Sequence, residues 1–280
     1  MIGLLFMCVI VKEPTRGAAE GNNGKPLSSR AWISDVKNLI KNRSFMFCTL
    51  GMTAVKFAAG AISSYGPIFL HRAQGIIEES AQNQTEVSRD YDSLIFGLIS
   101  CISGSLGVVT GVKIAKIYRK NNPRADPIVC ASGLFGCAVF LVLALFMGDI
   151  SIVATYVFMS IGIMCLNLNC SVSADIRQYV VSPARRSTAQ AIFMIVSEPG
   201  TAGSSYVIKL ISNAIKSHNP DSPFWEIHSL QYALLMVCPV VVAIGGGFFF
   251  ACACFIEKDR KTAETESEDW LLKEVIVETP

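Results

Sequence analysis

Apolar residues in this chain fall in long unbroken runs separated by polar stretches, and six of the runs are long enough to cross a bilayer. They cover 45–70, 94–113, 128–148, 152–174, 188–211 and 229–256. A helix of roughly 20 apolar residues crosses about 30 Å of hydrocarbon. Only helices and closed barrels satisfy their backbone in lipid, and these runs lack the alternation of barrel strands. The pattern therefore predicts an all-α membrane protein, with a six-helix transmembrane bundle over 45–256. The fifth run is interrupted by Glu198, Pro199, Gly200 and Gly203. Such interruptions are tolerated where neighbouring helices or a water-filled cavity re-satisfy the backbone, which marks this run as a cavity-lining helix.

The polar stretches sort by charge. Lysine and arginine number seven in 12–44, five in 113–127, three in 175–187 and four from 257 onward, against two in 71–93, none in 149–151 and one in 212–228. High and low alternate without exception, 19 against 3. Because basic loops stay on the cytoplasmic side, both ends are expected in the cytoplasm. Asn83-Gln84-Thr85 is a glycosylation sequon in a low-charge loop, which places Asn83 outside.

Composition agrees with this reading. At 51% hydrophobic and 16% charged residues over 280 positions, the chain is too apolar for an ordinary soluble domain. Its ten cysteines lie within or at the edges of apolar runs, without metal-ligand spacing, and read as small buried hydrophobes. No cofactor, metal or nucleic-acid partner is expected; membrane lipids are.

The ends differ from the middle. Ile2 to Val11 is apolar but covers only half a span, and a cleaved signal is disfavoured because no Lys or Arg precedes it and Val11-Lys12-Glu13-Pro14 is a poor cleavage site. Residues 1–11 are expected to be the end of a truncated transmembrane helix, and 12–44 a cytoplasmic central loop. Within that loop, SSRAWISDVKNLIKNRS places Trp32, Val36, Leu39 and Ile40 on one helical face, after Ser28 or Ser29 as cap. That is an amphipathic helix for the membrane surface. The tail, 257–280, is acidic and expected to be solvated and disordered; its Glu268-Asp269-Trp270-Leu271-Leu272 loosely suggests a dileucine sorting signal.

Several blocks carry a resemblance. VKEPTRGAAE, KNRSFMFCTLGMTAVKFAAGAISSYGPIFLHRAQ, DSLIFGLISCISGSLGVVTG, NPRADPIVCASGLFG, SADIRQYVV, ARRSTAQA and FFFACACFIEKDR occur in order and resemble the spinster-homolog branch of the major facilitator superfamily. That family has twelve spans in two six-helix halves. The resemblance implies that this chain is the C-terminal half, with Ile2 to Val11 at the end of helix six. It further implies transport of lysophospholipids, or of sphingolipids such as sphingosine-1-phosphate, across lysosomal, late endosomal or plasma membranes. Superfamily carriers bind substrate near the midplane between halves and alternate access by rocking one bundle against the other. The missing N-terminal six-helix half is thus an expected partner, and protons a candidate coupling ion.

Ionisable groups within spans cost about 2.5–3.5 kcal/mol each on insertion scales, so each needs a reason. Lys56 lies mid-span where the family usually has a small residue; it either holds a lipid phosphate from the cavity or snorkels or pairs with a carboxylate. Glu198 is a candidate proton carrier in the broken fifth run. Asn167 and Asn169 are candidates for headgroup binding or for interhelical hydrogen bonds, and point in different directions along their helix. Asp175 is expected to form a cytoplasmic gate pair with Arg177, Arg185 or Arg186. Gly104, Gly107 and Gly111 form one small-residue face for close helix packing, and Pro67 is expected to kink the first span.

Some polar positions depart from the family pattern. Ile163 stands where relatives have Glu, Cys170 where they have Trp, Arg177 where they have an apolar residue, and Ser197-Glu198-Pro199-Gly200-Thr201-Ala202-Gly203 lacks both the His and the Asp of the fifth-run motif, a His followed by Gly-Asp-Ala-Gly. An alternative follows, a non-transporting six-span protein that pairs with or regulates full-length relatives. An enzyme is not expected: His71, His218 and His228 lie in outer loops or at a span edge, and no zinc-protease, nucleophile-elbow or Walker pattern occurs.

Overall fold

The structure is a computed structural model and describes residues 36–77, 86–120, 122–182, 185–218 and 223–278. The apolar run Ile2–Val11, the central loop up to residue 35 and Asn83 lie outside the described residues.

Six long helices follow in order: α1 (Arg43–Ile77), α2 (Glu86–Arg119), α3 (Ala125–Met147), α4 (Ile152–Val180), α5 (Arg186–His218) and α6 (Pro223–Glu278). Residues 36–41 are also helical, and no strand occurs among the described residues. Five of the helices carry an apolar stretch long enough to cross a membrane, and α5 does not. The fifth expected span is therefore present as a helix of 33 residues but is more polar than its neighbours. α1 runs on through Pro67, α5 through Pro199 and α6 through Pro239.

Local chemistry fixes the helix starts and satisfies the polar atoms. The Asn42 Oδ1 accepts a hydrogen bond from the Phe45 N–H at 3.0 Å, and the Ser151 hydroxyl accepts from Ala154 N–H at the start of α4. Hydroxyls inside the spans turn back on their own helix: Thr49 donates to Phe45 O, Thr53 to Thr49 O, Ser132 to Val129 O and Ser160 to Tyr156 O. With no water at that depth, this is how a lipid-embedded helix keeps its hydroxyls bonded.

α1 is the centre of the bundle. It packs on α6 and α5 and touches α4, while α3 packs on α4 and α6, and α2 lies mainly on α4. The core is formed by Phe45, Leu70, Leu134, Ile176, Val242 and Phe249, all fully buried. α2 is the most exposed span, with Leu94, Leu98, Ile102 and Leu106 facing outward. Its contact with α4 runs along the predicted glycine face: a Cβ on Gly107 would lie 2.3 Å from Met164 O, and one on Gly111 2.6 Å from Leu168 O.

The nine described cysteines are free thiols, five of them buried. Two expectations need correction. Residues 257–278 were expected to be disordered but continue α6 as helix, which at 56 residues is about 84 Å long. Its early exposed turns are tied down by Arg124–Glu257 at 2.5 Å, Ser44 N–H to Asp259 at 2.8 Å and the i,i+4 pair Arg260–Glu264 at 2.9 Å. The face expected for the surface helix also divides: Leu39 is buried in the bundle core, whereas Ile40 is exposed. One helical turn cannot give both residues to the same surface once Leu39 meets the core.

Candidate functional site

The polar fifth run is explained by how closely α5 meets α1. A Cβ on Gly200 would lie 2.7 Å from Thr53 O, and one on Gly60 2.6 Å from Thr201 O, so the two backbones touch on both sides of Lys56. Further along the same seam, the Ser64 and Ser205 hydroxyls are 2.9 Å apart, and the Tyr65 hydroxyl donates to Ser205 O at 2.8 Å. At that approach the Lys56 ammonium reaches Glu198 of α5 and forms an ion pair with it. Of the readings open for Lys56, the structure shows pairing with a carboxylate. Glu198 is no isolated acid either; its side chain is 56% exposed, with Lys56 as its counter-ion.

Next to this pair is Phe193, buried on α5. The Lys56 ammonium lies 5.3 Å from its ring centroid, and the Arg177 guanidinium of α4 lies 3.8 Å from it. Two cations from different helices thus share one aromatic ring. Arg177 Nη1 is 3.4 Å from the Ser173 hydroxyl, its Nε is buried without a hydrogen-bond partner, and among the described residues no carboxylate pairs with it. The cluster of Lys56, Arg177 and Glu198 carries one positive charge in excess. Sequence reasoning named all three but connected none, and it missed Phe193, which the apolar pattern presented as one more core residue.

The two asparagines point apart, as their spacing requires. Asn167 lies against Gly104 of α2, where an added Cβ would be 3.5 Å from its amide nitrogen, and Asn169 is fully buried against Gly133 of α3. Among the described residues neither asparagine forms an interhelical hydrogen bond, one of the two roles open to them. Asn167 Nδ2 donates to Ile163 O at 2.9 Å, and Asn169 Nδ2 to Cys165 O and Leu166 O, all on their own helix. Glycine opposite each amide supplies no side-chain partner, so the carbonyls one turn back are the available acceptors. Asn169 Oδ1 is left buried without a partner.

Asp175 also needs correction. Among the described residues it pairs with Arg119, at 2.9 Å, from a different helix end than the expected Arg177, Arg185 and Arg186. Residues two apart on a helix face different ways, so Arg177 turns towards Phe193 while Asp175 turns towards the end of α2. Arg186 lies beyond the end of α4 and donates to Gln178 O at 3.2 Å. Arg119 also grips Asp126 with two contacts, Nη2 to Oδ2 at 3.0 Å and Nε to Oδ1 at 3.2 Å, and stacks 5.0 Å from the Tyr179 ring. Asp126 is only 3% exposed. One guanidinium therefore joins the ends of α2, α3 and α4. The signal for it was present in the sequence, a charge at the end of one apolar run and an acid at the start of the next.

Residues 1–204 match the family described as the Major Facilitator Superfamily. The chain is 48% identical over 272 residues to protein spinster homolog 1 of Xenopus tropicalis, covering 97% of this chain and 52% of that protein. It is 44% identical to the human spinster homolog 1, and 42% identical to the mouse sphingosine-1-phosphate transporter SPNS2, covering 95% of this chain and 48% of that protein. The chain spans about half the length of the curated relatives it matches. Among solved structures, the inward-facing, unoccupied bacterial homolog of the human lysosomal transporter spinster aligns with a TM-score of 0.52 at 15% identity, covering 93% of this chain and 56% of that one, a likeness of fold. With five helices among the described residues long and apolar enough to cross a membrane, and with these relatives, the molecule is a multi-pass membrane protein. The chain belongs to the Major Facilitator Superfamily, in which its similarity lies with the spinster homologs.

Proposed function

We propose that this chain is the C-terminal six-helix half of a lipid carrier, moving a lysophospholipid or a sphingolipid such as sphingosine-1-phosphate by alternating access against an N-terminal half. The observation that carries this reading is the grouping of Lys56, Arg177 and Glu198 around Phe193, since ionisable residues inside a spanning bundle are costly and mark substrate or ion pathways. The name of the SPNS2 relatives supports the substrate class.

In this mechanism the phosphate of the lipid headgroup competes with Glu198 for Lys56 and takes Arg177 as a second cation. Protonation of Glu198 weakens its hold on Lys56 and favours loading, which couples lipid to protons. The bundle end with Arg119, Asp126 and Asp175 faces the cytoplasm, as the charge count expects. Opening that end requires the Arg119 contacts to rearrange. The membrane is lysosomal, late endosomal or plasma.

The test uses this chain co-expressed with the N-terminal half of a spinster homolog. Lys56→Met and Arg177→Met are each expected to lower uptake of sphingosine-1-phosphate about tenfold, the equivalent of ~1.4 kcal/mol for one lost charge-assisted contact, with little change for unphosphorylated sphingosine. Equal uptake of the phosphorylated lipid by parent and variants would remove the headgroup role.

A further inference from the structure

Two recesses beside the C-terminal end of α4 share Val181, Ser182 and Ala263 as walls. The first, a cavity of about 320 Å³, is enclosed by residues 38–42, the end of α4 and the early extension of α6. Lys41 and Arg185 enter it from different segments. Among the described residues its wall contains one carboxylate, Asp259, which already accepts a hydrogen bond from the Ser44 N–H at 2.8 Å. The Asn42 side chain is spent on structure, donating to Val180 O at 3.0 Å and capping α1. The second recess, about 300 Å³, adds Arg186 and Arg260, and its carboxylate Glu264 is paired with Arg260.

Among the described residues the two recesses carry four cations and two carboxylates; Arg260 is paired with Glu264 and Arg186 donates to Gln178 O, and the wall of the first recess has Lys41 and Arg185 against the single carboxylate of Asp259. The lining is concave and polar, and its volume is at the small end of ligand pockets. Basic recesses between spanning helices near one membrane surface bind phosphorylated lipid headgroups, and Arg and Lys supply the charge-assisted bonds.

We infer that the recess between residues 38–42, the α4–α5 connection and the α6 extension binds the phosphorylated headgroup of an anionic membrane lipid, of the phosphoinositide class, with Lys41 and Arg185 holding phosphate. The site is separate from the Lys56 cluster and does not depend on the transported lipid. Occupancy clasps three segments together: the stretch before α1, the α4–α5 connection and the α6 extension. It therefore stabilises this end of the bundle.

The experiment is native mass spectrometry and thermal unfolding of the detergent-purified chain. The probes are dioctanoyl phosphatidylinositol 4,5-bisphosphate, free inositol 1,4,5-trisphosphate and dioctanoyl phosphatidylcholine. The phosphoinositide is expected to form an adduct and raise the unfolding midpoint, and phosphatidylcholine to do neither. Equal binding of the free trisphosphate supports the same site and shows that the headgroup suffices; weaker binding shows that the acyl chains contribute. Lys41→Gln and Arg185→Gln should each weaken binding about tenfold, whereas Lys37→Gln, exposed and outside the cavity wall, should not. Because Lys41 is exposed, its variant keeps the test informative if Arg185→Gln fails to fold. Binding of phosphatidylcholine equal to the phosphoinositide, or unchanged binding by Lys41→Gln, overturns the inference.

Discussion

Arg119→Met is expected to destabilise the bundle by about 3 kcal/mol, the lower end of the range for breaking a buried charge pair, since Arg119 is itself a third exposed. The loss comes mostly from Asp126. That carboxylate is 3% exposed and receives two contacts from the guanidinium, so removing Arg119 leaves a desolvated charge with no cation. Asp175, 40% exposed, has water as an alternative and loses less. The double variant Arg119→Met with Asp126→Asn should therefore be more stable than Arg119→Met alone, because it removes the stranded charge. Thermal or denaturant unfolding in a mild detergent measures both. An Arg119→Met midpoint equal to that of the parent would show that the three helix ends are held by something else.

Gly107→Leu should be at least as damaging, by a different route. An added Cβ would meet Met164 O at 2.3 Å, and that oxygen belongs to the α4 backbone and cannot rotate away. α2 and α4 would have to separate along the whole seam, which includes Gly104 against Asn167 and Gly111 against Leu168. Gly107→Ala already introduces the clash and is expected to cost about 1–3 kcal/mol, with Gly107→Leu losing monodisperse protein altogether. Gly97 on the same helix is the control, since nothing lies within 4 Å of its missing Cβ. Gly97→Ala should be neutral or slightly stabilising, as alanine is the better helix former. Size-exclusion profiles and unfolding midpoints distinguish the two positions.

The span pattern was readable because burying a backbone in lipid demands long apolar helices, and no tertiary contact needs to be known to see them. The glycine seam on α2 was readable for a related reason, its three-to-four-residue spacing placing all three glycines on one face. Pairing was not. Lys56 and Glu198 are 142 positions apart, and only the close approach at Gly60 and Gly200 brings them together. Asp175 had three arginines close in sequence, yet its partner came from another helix, because the neighbour at i+2 faces away. The tail showed the opposite error: its acidic composition suggested disorder, while continuity with α6 and the ties at Glu257 and Asp259 carry the helix onward. The polar character of α5 was noticed in the sequence, but its cause, backbone contact with α1, was not available there.

The central claim is that this bundle is one half of a two-bundle lipid carrier. The most direct test is flux of radiolabelled sphingosine-1-phosphate and lysophosphatidylcholine into vesicles containing either the 280-residue chain alone or the chain reconstituted with an N-terminal spinster half. The account predicts no flux above empty vesicles for the chain alone and saturable flux of at least one lipid when both halves are present. Saturable flux from the chain alone, or none from the two halves in a well-assembled complex, would contradict it.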